Sequence, residues 1–90
     1  MSPQAIPRLA PGCRLSEDPR RPGLLLIPEG ELRLLGPGPE ILRRVDGRRT
    51  LAAIVEDLRA AYPQADPARM ERETAAFLER LWERGLLRVE

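Results

Sequence analysis

The sequence predicts an α+β domain in which three short N-terminal strands, forming an antiparallel sheet, precede three helices. Two apolar runs, Leu24 to Ile27 and Glu31 to Leu35, flank the turn residues Pro28-Glu29-Gly30 and read as a β-hairpin. Helical spacing begins only after Gly36-Pro37-Gly38-Pro39. From there to Arg84 the apolar residues recur at helical intervals, interrupted by Asp46-Gly47 and by Pro63 to Pro67.

In chain order, Met1 to Pro11 holds three Pro, and Ile6 and Leu9 are its only large apolar residues besides Met1. It reads as a flexible or extended N-terminal arm, residues 1–11, ahead of a single domain over 12–90. Gly12 to Glu17 alternates, with Cys13, Leu15 and Glu17 on one side and Arg14 and Ser16 on the other, which suits a short edge strand. Asp18 to Gly23 is a loop by composition. Leu24-Leu25-Leu26-Ile27, bounded by Gly23 and Pro28, is continuous enough to be a central strand. In the next strand Leu32 and Leu34 face the core, and Glu31 and Arg33 face outward.

The first helix is expected from Pro39 to Val45, with Pro near its start where a missing N–H costs little. Thr50 is the N-cap of a second helix over Leu51 to Tyr62. Asp66 and Pro67 open a third, Pro67 to Arg84, with Gly85 at its C-terminal cap. Met70, Thr74, Phe77, Leu78 and Leu81 form its core stripe. Glu71, Ala75 and Trp82 flank that stripe on one side; Arg69, Glu73, Ala76 and Arg80 flank it on the other. Leu86 to Val89 forms a terminal strand or an extended tail. The first two helices, Ile41 to Leu58, sit close enough to cross as a helix-turn-helix, and the whole plan is winged-helix-like.

Ninety residues with ordinary apolar content make one small domain with a thin core. All fifteen basic residues are Arg, with no Lys and no His, so the usual general bases, Schiff-base amines and imidazole ligands are missing. The lone Cys13 has no imidazole beside it in sequence and no disulfide partner. No metal cluster and no phosphate-cradling loop is evident. The chain therefore reads as a non-enzyme without a cofactor. It has no signal segment and no long apolar run, which suggests a cytoplasmic protein away from membranes.

Binding is the remaining class. The arginines Arg43-Arg44 and Arg48-Arg49 flank the helix turn, as in a winged-helix DNA-binding transcriptional regulator. Net charge is only +1, and the third helix carries Glu71, Glu73, Glu79 and Glu83, which would meet phosphate badly. Peptide binding fits better. The strand Glu31-Leu32-Arg33-Leu34-Leu35 is a candidate free edge to which a guest strand can add. The facing wall would be Arg69, Glu73, Ala76, Phe77 and Arg80, with Ala76 leaving room and Phe77 as an apolar floor. By the residues alone, that flank serves a groove or simply faces solvent, and periodicity does not say which flank meets the strand.

Leu24 to Gly30, Glu40-Ile41-Leu42, Val45-Asp46-Gly47-Arg48-Arg49-Thr50, Ile54, Leu58, Phe77-Leu78 and Gly85-Leu86 together resemble the pyrroloquinoline quinone (PQQ) biosynthesis protein D family. Pro7 to Leu15 resembles that family's opening. The resemblance implies a peptide chaperone, a stand-alone recognition element for ribosomally made, modified peptides. It implies two partners: a PqqA-like precursor peptide and a PqqE-like radical S-adenosylmethionine enzyme that joins the peptide's Glu and Tyr side chains. It also implies that the peptide pairs with the third strand and packs on the third helix, here Glu31 to Leu35 and Arg69 to Leu81. Gly36 to Pro39 departs from the Asn and hydroxyl pattern the family often has before its first helix, and Leu86-Leu87 replaces a frequent aromatic. A substrate-binding subunit for another peptide-modifying enzyme is a further reading. The expected state is a monomer or weak homodimer.

Overall fold

A computed structural model describes residues 1–90. The α+β order stands, with strands before three helices, but five strands form instead of three: β1 (Pro7–Leu9), β2 (Arg14–Leu15), β3 (Leu24–Ile27), β4 (Gly30–Arg33), α1 (Gly38–Leu42), α2 (Leu51–Ala61), α3 (Pro67–Glu83) and β5 (Leu87–Val89). They make two sheets. One is antiparallel β2-β3-β4; the other pairs β1 with β5.

The second sheet gives residues 1–11, read as a flexible or extended arm, an extended course. Pro7, Arg8 and Leu9 pair antiparallel with Val89, Arg88 and Leu87. Ala5 and Ala10 are buried. The Ala5 carbonyl accepts the Leu51 N–H at 2.8 Å, and the Pro3 carbonyl accepts the Ala52 N–H at 2.9 Å. These are two of the donors that the first turn of a helix leaves without intrahelical partners. Thr50 satisfies a third, its side chain accepting the Ala53 N–H at 3.1 Å. The arm is thus extended and docked, and it helps to cap α2.

Turn chemistry sets the other boundaries. Ile27 pairs with Gly30, so Pro28 and Glu29 alone make the hairpin turn. The strand expected to reach Leu35 ends at Arg33. Gly36 takes a φ of +56°, and the Leu35 carbonyl accepts the Gly38 N–H at 3.2 Å, which turns the chain into α1. The strand expected over Gly12 to Glu17 pairs only at Arg14 and Leu15. Helix α1 is shorter than the expected Pro39 to Val45. Its end tightens into i→i+3 bonds, Arg44 N–H to Ile41 O and Val45 N–H to Leu42 O, both 3.1 Å. The other helices stop one residue short of the expected ends, with Tyr62 and Arg84 as C-caps. Asp66 caps α3 by accepting the Ala68 N–H at 3.1 Å.

The core takes a fully buried side chain from nearly every layer: Leu25 from β3, Ile41 from α1, Ile54 from α2, Leu78 from α3 and Leu87 from β5. Each contributes roughly 1.5–3 kcal/mol of apolar burial. Arg44 ties α1 to α2, donating to Asp57 Oδ2 at 2.6 Å and to the Glu40 carbonyl at 2.8 Å. No helix is long and apolar enough to cross a membrane.

Candidate peptide groove

Strand β4 lies at the edge of its sheet, with β3 on one side only. The Leu34 N–H donates to the Gly23 carbonyl at 2.7 Å. Backbone groups alternate along a strand, so Leu32 and Gly30 also aim their N–H and C=O at β3. Those of Glu31 and Arg33 therefore point away from the sheet. Their side chains are exposed, whereas Leu32 is half-buried and Leu34 buried. Arg21 is ion-paired with Glu31. Leu35, just past the strand, is 78% exposed, a large apolar side chain standing in solvent beside this free edge.

Phe77 identifies the flank of α3 that faces β4. A Cβ at Gly38 would stand 3.1–3.2 Å from the Phe77 ring and 3.2 Å from Leu34 Cβ. Hence Phe77 is wedged against the junction of β4 and α1. The opposite flank, Glu71 and Ala75, turns toward α2 and the docked arm. Glu73, one turn before Phe77, and Arg69 border a cavity that also includes Pro37, Glu40 and Ile41 of the α1 side. Arg69 donates to Glu73 at 2.8 Å. That hydrogen bond and the Glu73 charge push the Arg69 guanidinium above its ordinary value, so it stays cationic throughout.

The five expected α3 residues share one flank of the helix, with Ala76 about 20° from Arg69 and Arg80 about 20° from Glu73, and differ in what they touch. Phe77, Glu73 and Arg69 stand on the side of β4 and α1. Ala76 follows Thr74, the buried centre of the core stripe, by two residues, or about 200° around the helix, and faces away from the core. It is exposed, as is Arg80, and Arg80 forms no ion pair with β4. The core stripe is likewise graded: Thr74, Leu78 and Leu81 are buried, while Met70 and Phe77 are only half-buried because they border the groove. Tyr62 and Met70 line the same cavity and were not among the expected site residues. Tyr62 carried a signal, an aromatic at a helix end directly before Pro63. Met70 was hidden by its membership of the core stripe.

Cys13 offers no nucleophile. Burial pushes its thiol up, and the Glu29 carboxylate adds to the shift, so it stays protonated.

Known proteins resemble this chain over most of its length. The PqqA binding protein of Azotobacter vinelandii is 38% identical over 85 residues, covering 93% of this chain and 90% of that one. The PqqA binding protein of Stutzerimonas stutzeri is 39% identical over 75 residues, covering 82% and 79%. The solution NMR structure for the PqqD truncation of Methylobacterium extorquens PqqCD, described as a functional and stand-alone RiPP recognition element, superposes with a TM-score of 0.74. It is 36% identical and covers 91% of this chain and 87% of its own. Residues 23–87 match the family described as coenzyme PQQ synthesis protein D. With the match running from the start of β3 into β5, the chain belongs to the PqqD family.

Proposed function

We propose that this chain binds the ribosomally made precursor peptide of PQQ biosynthesis by strand addition and presents it to a radical S-adenosylmethionine enzyme in the cytoplasm. The ligand follows from relatives named PqqA binding protein. The partner enzyme follows from the family resemblance, and the cytoplasm suits the single unpaired Cys13. The observation that carries the proposal is the outward-facing backbone of Glu31 and Arg33 beside the Phe77 flank of α3. A guest strand there gains main-chain hydrogen bonds from β4, and its alternate side chains meet α3. Leu32, Leu34 and Leu35 would make the strand-side contacts. Arg69, Glu73 and Phe77 would make the nearer part of the helical wall. Ala76 and Arg80 would make its outer rim.

An amide-NMR titration with the precursor peptide tests the site. Saturable shifts are expected to cluster on Glu31 to Leu35 and Arg69 to Leu81. Shifts confined to Arg43 to Arg49, or no binding at micromolar concentrations, would refute it. The sharper variant is Arg33→Pro. Its N–H points away from β3, so proline removes a donor to the guest while sparing the sheet. Arg33→Pro should fold and bind at least tenfold more weakly, whereas Arg33→Ala should keep most of the affinity.

A further inference from the structure

Beyond the end of β4 lies a cavity of about 510 Å³, between α1, the C-terminal end of α2 and the first turns of α3. That size is within the ~300–1,000 Å³ typical of ligand pockets. Ile41, Leu58, Met70 and Tyr62 line it. Ile41 and Leu58 are rigid core residues. Met70 is half-buried and adaptable, suited to closing on guests of different shape. Tyr62 is 43% exposed, an aromatic surface with one side uncovered.

The cavity adjoins the groove through two neighbouring residues. Pro37, on its rim, precedes Gly38, against which Phe77 packs. Glu73, also on the rim, is one turn from Phe77 on α3. A peptide paired with β4 and extended past Leu35 would approach Pro37 on this rim. The rim has a charge preference as well. It carries the carboxylates of Glu40, Asp66 and Glu73 against the single guanidinium of Arg69. Glu40 is held by Arg43 and Arg44, and Glu73 by Arg69, which leaves Asp66 without an ion pair.

We propose that this cavity is an anchor subsite for the bound peptide. It takes one bulky apolar side chain, aromatic or branched aliphatic, from the stretch that continues off the β4 edge, with an Arg or Lys next to that residue facing Asp66. This rests on the strand-addition reading above. The anchor selects which segment of the peptide is paired, since the backbone pairing along β4 is itself sequence-independent.

Ala65→Trp tests it, because Ala65 lines the cavity and is exposed, so the larger side chain fills the space without entering the core. With the precursor peptide as probe, Ala65→Trp should weaken binding roughly 10- to 100-fold, the range expected for losing one buried large apolar side chain. Replacing the peptide's bulky apolar residues by Ser one at a time should find one position that costs a similar factor on the wild type and little more on Ala65→Trp. Independently of any variant, the Met70 methyl resonance of the wild type should shift on saturation. Unchanged affinity in Ala65→Trp with a stationary Met70 methyl would overturn the subsite and leave strand addition standing. A wild type that does not bind the precursor at all would sink both.

Discussion

At the scale of single residues, two positions do more than composition reveals. Gly38 has no positive φ, so its role is space: any Cβ there meets Phe77 and Leu34 at 3.1–3.2 Å. Gly38→Ala should cost about 1–3 kcal/mol by overpacking, seen as a melting temperature lowered by roughly 5–15 °C. Because the ring is one side of the strain, Phe77→Leu in the same chain should recover part of the loss, whereas two independent effects would simply add. Asp46 is the second position. Its Oδ1 accepts the N–H groups of Arg48 and Arg49, both at 2.9 Å, across the turn that joins α1 to α2. Those bonds, with the Arg49 charge, hold the carboxyl below its ordinary value of 3.8. A depressed carboxylate contributes stability above its unfolded pKa and loses it as the pH falls through the folded value. The melting-temperature gap between wild type and Asp46→Asn should therefore be constant near neutrality and narrow below pH 3.8. A gap that stays constant to the lowest accessible pH would show that the charge plays no part.

At the scale of elements, the β1–β5 sheet makes the strongest demand on the N-terminal segment. Removing residues 1–9 takes away the partner of β5 and the carbonyls of Pro3 and Ala5 that cap α2. It also uncovers Leu87, which is 2% exposed in the intact chain. The lost hydrogen bonds are worth about 0.5–1.5 kcal/mol each, and the uncovered leucine about 1.5–3 kcal/mol. Thermal melts should show a fall of more than about 10 °C; an arm that was merely flexible would leave the melt unchanged. This element also marks where sequence reasoning stopped. Thr50, Asp66 and Gly85 announced the helix ends because capping is written in adjacent residues. Pro7-Arg8-Leu9 announced nothing, since its partner is Leu87 to Val89 at the far end of the chain and no local period records such pairing. The candidate groove was legible to the same degree. An edge strand at Glu31 followed from the hairpin, but the flank of α3 that meets it did not. Both flanks of the core stripe carry mixed charged and small residues, and they are separated by the approach of Phe77 to Gly38 and by the turn of Glu71 and Ala75 toward α2.

At the scale of the whole molecule, charge distinguishes a peptide reader from a nucleic-acid reader. Fifteen arginines oppose fourteen carboxylates for a net charge of +1. Many of them are spent on one another: Arg44 is shared by Glu40 and Asp57, Arg49 reaches Asp46 and Asp57, Arg59 reaches Glu56 and Glu71. The arginines around the α1–α2 turn are therefore largely neutralised where a helix-turn-helix would present them to phosphate. A guest strand on β4 would be held mainly by backbone hydrogen bonds and apolar contacts, neither of which releases condensed counterions. Raising salt from 50 to 200 mM should then change the dissociation constant of the precursor peptide by less than about threefold. A DNA reader making six to ten phosphate contacts would lose about 10³–10⁵ over the same range. Isothermal titrations across a salt series measure this slope directly. A steep slope with duplex DNA together with a flat, weak response to peptide would transfer the function to the winged-helix reading. A shallow slope with peptide would tie the function to β4 and its neighbours, where neutral contacts dominate.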